Sequence, residues 1–247
     1  MNFLVKKKVW IVGASEGIGL AIFKKIQPVA SHVFVSSRNA QKLQKIKKSS
    51  KNTSIHAVDV CDYDRFYNTA KHILNNDCDT VIYCVGYYKP TDFNNYNLTE
   101  QLQTIDVNLK SFLYFIDFIK KFKHCLKQII VLASSASYIG LPGSFAYGAS
   151  KAALVNCCEC LQTELPSVKI QIVNCGFVRS RLTKQNNFSM PMIMSAEKAA
   201  EKIIKNMESA KFEITFPKIF IIFLKILRIL PYRLYFKLVT FFIFRKS

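Results

Sequence analysis

Tyr147 and Lys151 stand four residues apart in Tyr-Gly-Ala-Ser-Lys. On a helix that spacing puts both side chains on one face, an ammonium beside a phenol. A neighbouring cation stabilises the phenolate and moves the phenol down from its usual pKa of about 10. Such a group can give a proton to a carbonyl oxygen as a hydride reaches the carbon. Ser134 and Ser135 precede the tyrosine by thirteen and twelve residues.

A second motif, Gly13-Ala-Ser-Glu-Gly17-Ile-Gly19, joins an apolar run to a helical pattern. Glycines there permit a tight turn and close approach of backbone N–H groups to a phosphate. The following helix points its positive end at the same anion. The next apolar run ends in Val35-Ser36-Ser37-Arg38. An acid at that position would bind the ribose 2′-hydroxyl of NAD. Two hydroxyls and a guanidinium suit the 2′-phosphate of NADP instead. Asp59-Val60 follows the third run, where a carboxylate could accept from an adenine amino group or cap a helix.

These motifs need elements to hold them, and the pattern supplies an alternation. Short Val- and Ile-rich runs predict strands over 8–12, 32–36, 54–58, 80–84, 128–133 and 169–174. Between them, helices are predicted over 18–27, 40–48, 63–75, 98–122 and 146–164. Six buried strands alternating with helices predict an α/β fold: a doubly wound, Rossmann-like parallel sheet.

Composition agrees. Among 247 residues, 50% are hydrophobic, with 20 Phe and 11 Tyr, so there is ample apolar surface and disorder is excluded. Eight Gly and seven Pro exclude a collagen-like chain. The net charge of +19 comes from 35 basic and 16 acidic residues, an attraction for anionic surfaces or a lysine-rich solvated exterior. The seven Arg are scattered rather than clustered with aromatics, so no nucleic-acid partner is expected. Eight Cys without a framework spacing suit a reducing, cytoplasmic setting. Cys157 and Cys160 read as packing residues of a helix, and no metal site is expected. The basic start, residues 1–8, leads into a strand broken by Gly13 and is not read as a signal peptide.

The whole set resembles the short-chain dehydrogenase/reductase family over residues 8–210. The glycine turn, Asn108 in Asp-Val-Asn, the Ser-Ser pair, Tyr147 and Lys151 carry the resemblance. It implies Ser134 rather than Ser135 as the substrate-oxygen donor, a role that would steady developing alkoxide charge. It implies Tyr147 as acid/base, Lys151 on the nicotinamide ribose, and Asn108 holding a water that relays protons. It places NADP contacts at Gly13, Ser15, Gly17, Ile18, Gly19, Ser37, Arg38, Asp59, Val60, Gly86, Val178 and Ser180, besides Tyr147 and Lys151. Val12, Cys84-Val85-Gly86, Cys175-Gly176 and Ser180 depart from the family's usual Thr, Asn-Ala-Gly, Pro-Gly and Thr. Residues 177–195 correspond to the family's mobile substrate loop. Here it holds Phe188, Met190, Met192, Ile193 and Met194, which suits an apolar ligand or a lid packed on its own helix. A homo-oligomer paired through the helices of Asn108 and Tyr147 is implied as well.

The implied activity is NADP-dependent interconversion of a carbonyl and an alcohol, on an apolar or lipid-like substrate. A soluble reductase of small or acyl-carrier-linked ketones, or a non-catalytic NADP(H)-sensing regulator, would share much of the pattern. Residues 1–216 form the expected catalytic domain. Residues 217–247 are a segment apart, with seven basic residues and no acid. Its longest uncharged run, 238–244, is too short to span a bilayer. Two amphipathic helices flank Pro231, with Lys218, Lys225 and Arg228 on one stripe and Arg233, Lys237 and Thr240 on another. They suit a peripheral position on the inner face of an anionic membrane. They equally suit packing against the domain's own core or a second subunit. The tail is similar to that of a bacterial branch of the family.

Overall fold

The computed structural model describes residues 2–48 and 50–244. Met1, Ser49 and residues 245–247, with the tail's last cations Arg245 and Lys246, lie outside the described residues.

Seven strands run parallel in the order β3-β2-β1-β4-β5-β6-β7. They are β1 Lys8–Val12, β2 His32–Ser37, β3 Thr53–Ala57, β4 Thr80–Tyr83, β5 Gln128–Leu132, β6 Lys169–Cys175 and β7 Glu213–Phe216. Six fall on the predicted runs. The seventh, β7, comes from Glu-Ile-Thr-Phe, a stretch too short for its alternation to stand out. Strand β1 sits between β2 and β4, so the chain reverses direction across the sheet there. In open α/β sheets, ligands bind in the crevice at such a reversal.

Both faces are covered. Helices α3 Tyr63–Leu74, α5 Ser111–Phe122 and α6 Phe145–Glu164 bury Phe66, Phe112, Phe115 and Leu154 with Trp10 on one face. Helices α1 Gly17–Ile26, α2 Ala40–Lys48 and α7 Ala196–Asn206 bury Ile22, Leu43 and Ile203 with Val9 and Ile11 on the other. Successive β1 residues point to opposite faces, which is why Trp10 and Ile11 belong to different clusters. Ser195 caps α7 through the Lys198 N–H, and Asp62 caps α3 through the Arg65 N–H.

The long helix predicted over 98–122 is interrupted. Helix α4 Leu98–Ile105 passes through a π-turn, Asp106–Lys110, before α5. The wider turn carries Asn108, and π-turns inside helices commonly mark working positions. Near the C-terminus, α8 Lys218–Ile229 and α9 Tyr232–Phe244 flank Pro231. Ile221, Leu224 and Leu227 of α8 join Ile139 and Tyr235 in a small separate cluster. Glu213 on β7 ties this region down. It accepts from Tyr138 Oη at 2.5 Å and Asn174 Nδ2 at 2.8 Å, and it pairs with Lys225.

Candidate active site

Why the turn after β1 is glycine-rich follows from its neighbours. Gly13 has φ +88°, and a Cβ there would lie 3.1 Å from the Cys84 carbonyl group. A Cβ on Gly19 would sit 2.2 Å from the Gly13 oxygen, so α1 could not start where it does. The Ser36 carbonyl accepts from the N–H groups of Gly13 and Ala14 at 2.8 and 3.2 Å, fixing the turn to β2. The result is an open groove of about 510 Å³ along the ends of β1, β2, β4, β5 and β6.

The groove wall collects most of the predicted residues. Gly13, Ser15, Gly17, Ile18 and Gly19 lie along the turn, and Ser37, Arg38 and Val60 stand at one end. Gly86, Ser134, Tyr147 and Lys151 stand at the other, and Val178 and Ser180 line the groove from the substrate loop, Ser180 Cβ lying 3.7 Å from where a Cβ on Gly17 would be. Asp59 is not among the lining residues. Its Oδ1 accepts from the Cys61 N–H at 3.0 Å, and its Oδ2 lies 3.8 Å from Arg38 Nη1. The capping role open to Asp59 belongs to Asp62. Ser36 is fully buried, and its hydroxyl accepts from the Trp10 indole at 3.1 Å, which makes it part of the core.

Two observations fit this end of the groove to a phosphorylated ribose. The Ser37 hydroxyl is buried without a hydrogen-bond partner. A buried polar atom left this way costs free energy unless a ligand satisfies it. Arg38 stands beside it, half-exposed and held only loosely by Asp59. A third residue, not evident from the motif, stands here. Lys42, one helical turn beyond Arg38, also lines the groove, with its Nζ 2.6 Å from Glu16 Oε2. Arg181 from the substrate loop meets Glu16 Oε1 at 2.7 Å. Burial pushes the Glu16 carboxyl up, but the two cations outweigh it and hold it below its ordinary value. The spacing Arg38-x-x-x-Lys42 on a helix start was the available signal.

At the other end, Lys151 is buried on α6, and its Nζ donates to the carbonyls of Leu132 at 2.9 Å and Val85 at 3.2 Å. It lies 5.9 Å from the centre of the Tyr147 ring, as a helical i, i+4 pair should. An ammonium has three donors, so one remains for a ligand hydroxyl. Burial pushes Lys151 down to about 8, against the pull of Cys175 and Cys84. Burial also holds the Tyr147 phenol above its usual range, while its hydrogen bond with Ser134 lowers it. The lowering of Tyr147 expected from Lys151 is not found in this conformation: burial dominates, and the Ser134 hydrogen bond is what lowers the phenol. Ser134 and Tyr147 form one hydroxyl pair, and Ser135 is buried in the short turn Ser135–Ser137 beneath it.

Asn108 is fully buried behind the wall. Its Oδ1 accepts from the Tyr87 N–H at 2.7 Å, and its Nδ2 donates to Tyr87 O at 2.9 Å and Ser150 Oγ at 3.0 Å. The side chain thus clamps the segment after β4 to α6. That contact holds Gly86 and Lys151 to one geometry, because Ser150 precedes the lysine. Tyr88, a further residue the pattern did not single out, packs its ring 4.8 Å from that of Tyr147. Gln185 from the substrate loop donates to Tyr88 O at 3.1 Å, which closes that side.

A proton donor, a second hydroxyl and a buried ammonium thus stand at one end of a dinucleotide-shaped groove. The short chain dehydrogenase family model matches residues 7–190. The chain belongs to that family and is an oxidoreductase of it. It is 28% identical over 210 residues to an uncharacterized oxidoreductase of Staphylococcus epidermidis, covering 81% of this chain and 90% of that protein. It is 30% identical over 189 residues to a 3-oxoacyl-acyl-carrier-protein reductase of Rickettsia conorii, covering 74% and 78%. Among solved structures, a short-chain dehydrogenase of Streptomyces avermitilis matches with TM-score 0.79 at 18% identity, covering 90% of this chain and 92% of that one. ElxO, solved with NADP bound, matches with TM-score 0.74 at 22% identity, covering 85% and 97%.

Proposed function

We propose that the protein is an NADPH-dependent reductase of an apolar, lipid-like carbonyl compound, working at the inner face of a membrane. The observation that carries the chemistry is the Ser134–Tyr147 hydroxyl pair beside buried Lys151 on the groove wall. When bound, the dinucleotide supplies the hydride. The protein's own residues do the rest. The glycine turn receives the diphosphate at the start of α1. Ser37 and Arg38 take the 2′-phosphate, Lys42 stands within reach of it, and Val60 lies along the adenine. Val178 and Ser180 close the groove from the loop side, and Gly86 leaves room above Lys151. The lysine's remaining donor holds the ribose, and Ser134 donates to the carbonyl oxygen. Tyr147 then passes its phenolic proton to that oxygen as charge develops there. Asn108 positions this set through Tyr87 and Ser150, and in the relay expected of it a water held there links Lys151 to solvent.

Four supports bear on partners and place. NADP-bound structures of the same fold support the cofactor. Met190 and Ile193 beside exposed Phe188 and Met192 give the loop an apolar character. Exposed Leu98, Leu102, Leu113 and Phe145 on α4, α5 and α6 support pairing of two copies through those helices. The division into a catalytic part, 1–216, and a basic attachment segment, 217–247, follows the charge, because the latter has no acid. A second reading, reduction of acyl-carrier-linked ketones, is favoured by the Rickettsia relatives' own names.

Two results are expected. The rate of carbonyl reduction should be flat below about pH 8, where Lys151 and Tyr147 are both protonated. Above it the rate should fall by about tenfold per unit as the ammonium is lost, read from a pH profile of kcat. Oxidation of the alcohol needs the phenolate as well as the ammonium, so its rate should rise with pH up to about 8 and level off above it as the ammonium is lost. Lys42→Gln should weaken NADPH several-fold and leave NADH unchanged, measured by dinucleotide fluorescence titration. Equal weakening of both would place Lys42 away from the 2′-phosphate.

A further inference from the structure

Helices α8 and α9 do more than extend the fold: they stand against both walls of the substrate end. Phe220 of α8 packs 5.8 Å from Phe177, the first residue of the substrate loop, and Phe177 packs 5.8 Å from Phe188 within it. Gly176 lacks the Cβ that would meet Pro217 and Phe220 at 3.1 and 3.2 Å, so the start of α8 lies directly on the loop's root. The opposite wall is the segment between Ser134 and Tyr147. There Tyr138, Ile139 and Leu141 pack on Leu224, Leu227 and Leu230, and the Tyr235 hydroxyl of α9 donates to the Gly140 carbonyl at 2.5 Å.

The outer faces of the same helices carry apolar side chains in water. Ile219, Ile222, Ile226 and Ile229 occupy an arc of about 80° on α8, opposite its buried stripe. Ile219 is 72% exposed and Ile229 80%. Tyr232, Leu234, Phe236 and Leu238 continue this exposed apolar character along α9. Lys218 and Lys225 border the α8 face, Arg233 and Lys237 lie on α9, and residues 217–247 include no acid. Lys225 is already paired with Glu213, but Lys218, Arg233 and Lys237 remain to meet headgroups while the apolar side chains enter the acyl layer, which complements an anionic lipid surface. Among the described residues no helix is long and apolar enough to cross a membrane.

Resting on the membrane reading above, we infer that this docking face and the substrate mouth meet one lipid surface together. Phe188 and Met192, both about half exposed on the loop that Phe220 supports, reach the same bilayer. The substrate is then a bilayer-resident carbonyl compound that passes from the acyl layer to Tyr147 beside Phe177 and Phe188 without crossing water.

Labelling from inside the bilayer tests this without knowing the substrate. Full-length protein is floated with vesicles of phosphatidylglycerol and phosphatidylethanolamine. The vesicles carry a trace phospholipid bearing a diazirine at its acyl terminus, and labelled peptides are mapped after illumination. The expected result is label on residues 219–238 and on residues 186–194 alike. Label on the helices alone, with the loop clean, overturns shared docking and leaves membrane attachment standing. Failure to float, or a dimer joined through α8 and α9, overturns the attachment reading and this inference with it. Ile222→Glu with Ile226→Glu should lower both labels at least tenfold. Ile229→Glu, at the exposed helix end, repeats the test with less demand on folding, and loop label that survives it undiminished counts against the inference.

Discussion

Tyr147→Phe should abolish carbonyl reduction while NADPH still binds. The substitution removes one oxygen from a half-buried ring that keeps its packing against Tyr88. The ring's place on α6 and the nearby Lys151 contacts to Leu132 and Val85 do not depend on the hydroxyl. What disappears is the proton for the carbonyl oxygen and the partner of Ser134. General acid catalysis of this kind is worth about 10²–10⁴ in rate, and the nearby phenol of Tyr83 cannot take over, because it is enclosed in the core with Ser111. The measurement is turnover against dinucleotide fluorescence in the same preparation. Activity within tenfold of the wild type would mean that another group delivers the proton.

The second large effect is expected at Arg38. Arg38→Asp should turn dinucleotide preference from NADP toward NAD. A guanidinium–phosphate hydrogen bond contributes about 1.5–3 kcal/mol, or roughly ten- to a hundredfold in affinity. An aspartate there adds repulsion to that loss and offers the ribose a 2′-hydroxyl acceptor. Because Asp59 already lies 3.8 Å from Arg38, the variant also frees a second carboxylate at this end. The NADP/NAD affinity ratio should fall by more than two orders of magnitude. An unchanged ratio would show that the arginine does not read the 2′-phosphate and would shift that role to Lys42 and Ser37.

The parts legible in the sequence are those where a local pattern dictates the outcome. The central strands β1, β4 and β5 are nearly continuous apolar runs, because a parallel sheet buried on both faces has little room for polar side chains, while the edge strand β3 is polar and only partly buried. The glycine turn is legible because a Cβ at Gly13 or Gly19 has nowhere to go. Tyr147 and Lys151 are legible because helical periodicity alone brings them together. What the pattern does not carry is tertiary. Glu16 bridges Lys42 and Arg181, residues 26 and 165 positions away, and no local rule announces such a bridge. Strand β7 has only four residues and gains its place from pairing with β6 and from Glu213 reaching Tyr138 and Asn174. The π-turn at Asn108 arises from where that side chain must reach, toward Tyr87 and Ser150, and hydrophobic period cannot encode it. In the tail, the period predicts two amphipathic helices. The structure shows each helix with one side on protein and other apolar side chains exposed, a division that composition could not make.

The most direct test of the central claim is NADPH consumption by the purified protein against ketones graded in chain length. Alcohol formation is measured alongside, for wild type and Tyr147→Phe. One alcohol should form per NADPH consumed, rates should rise with chain length, and the variant should show no turnover. NADPH bound but not consumed across the whole series would contradict this and make the protein a dinucleotide-binding regulator, and turnover indifferent to Tyr147 would contradict the assigned chemistry.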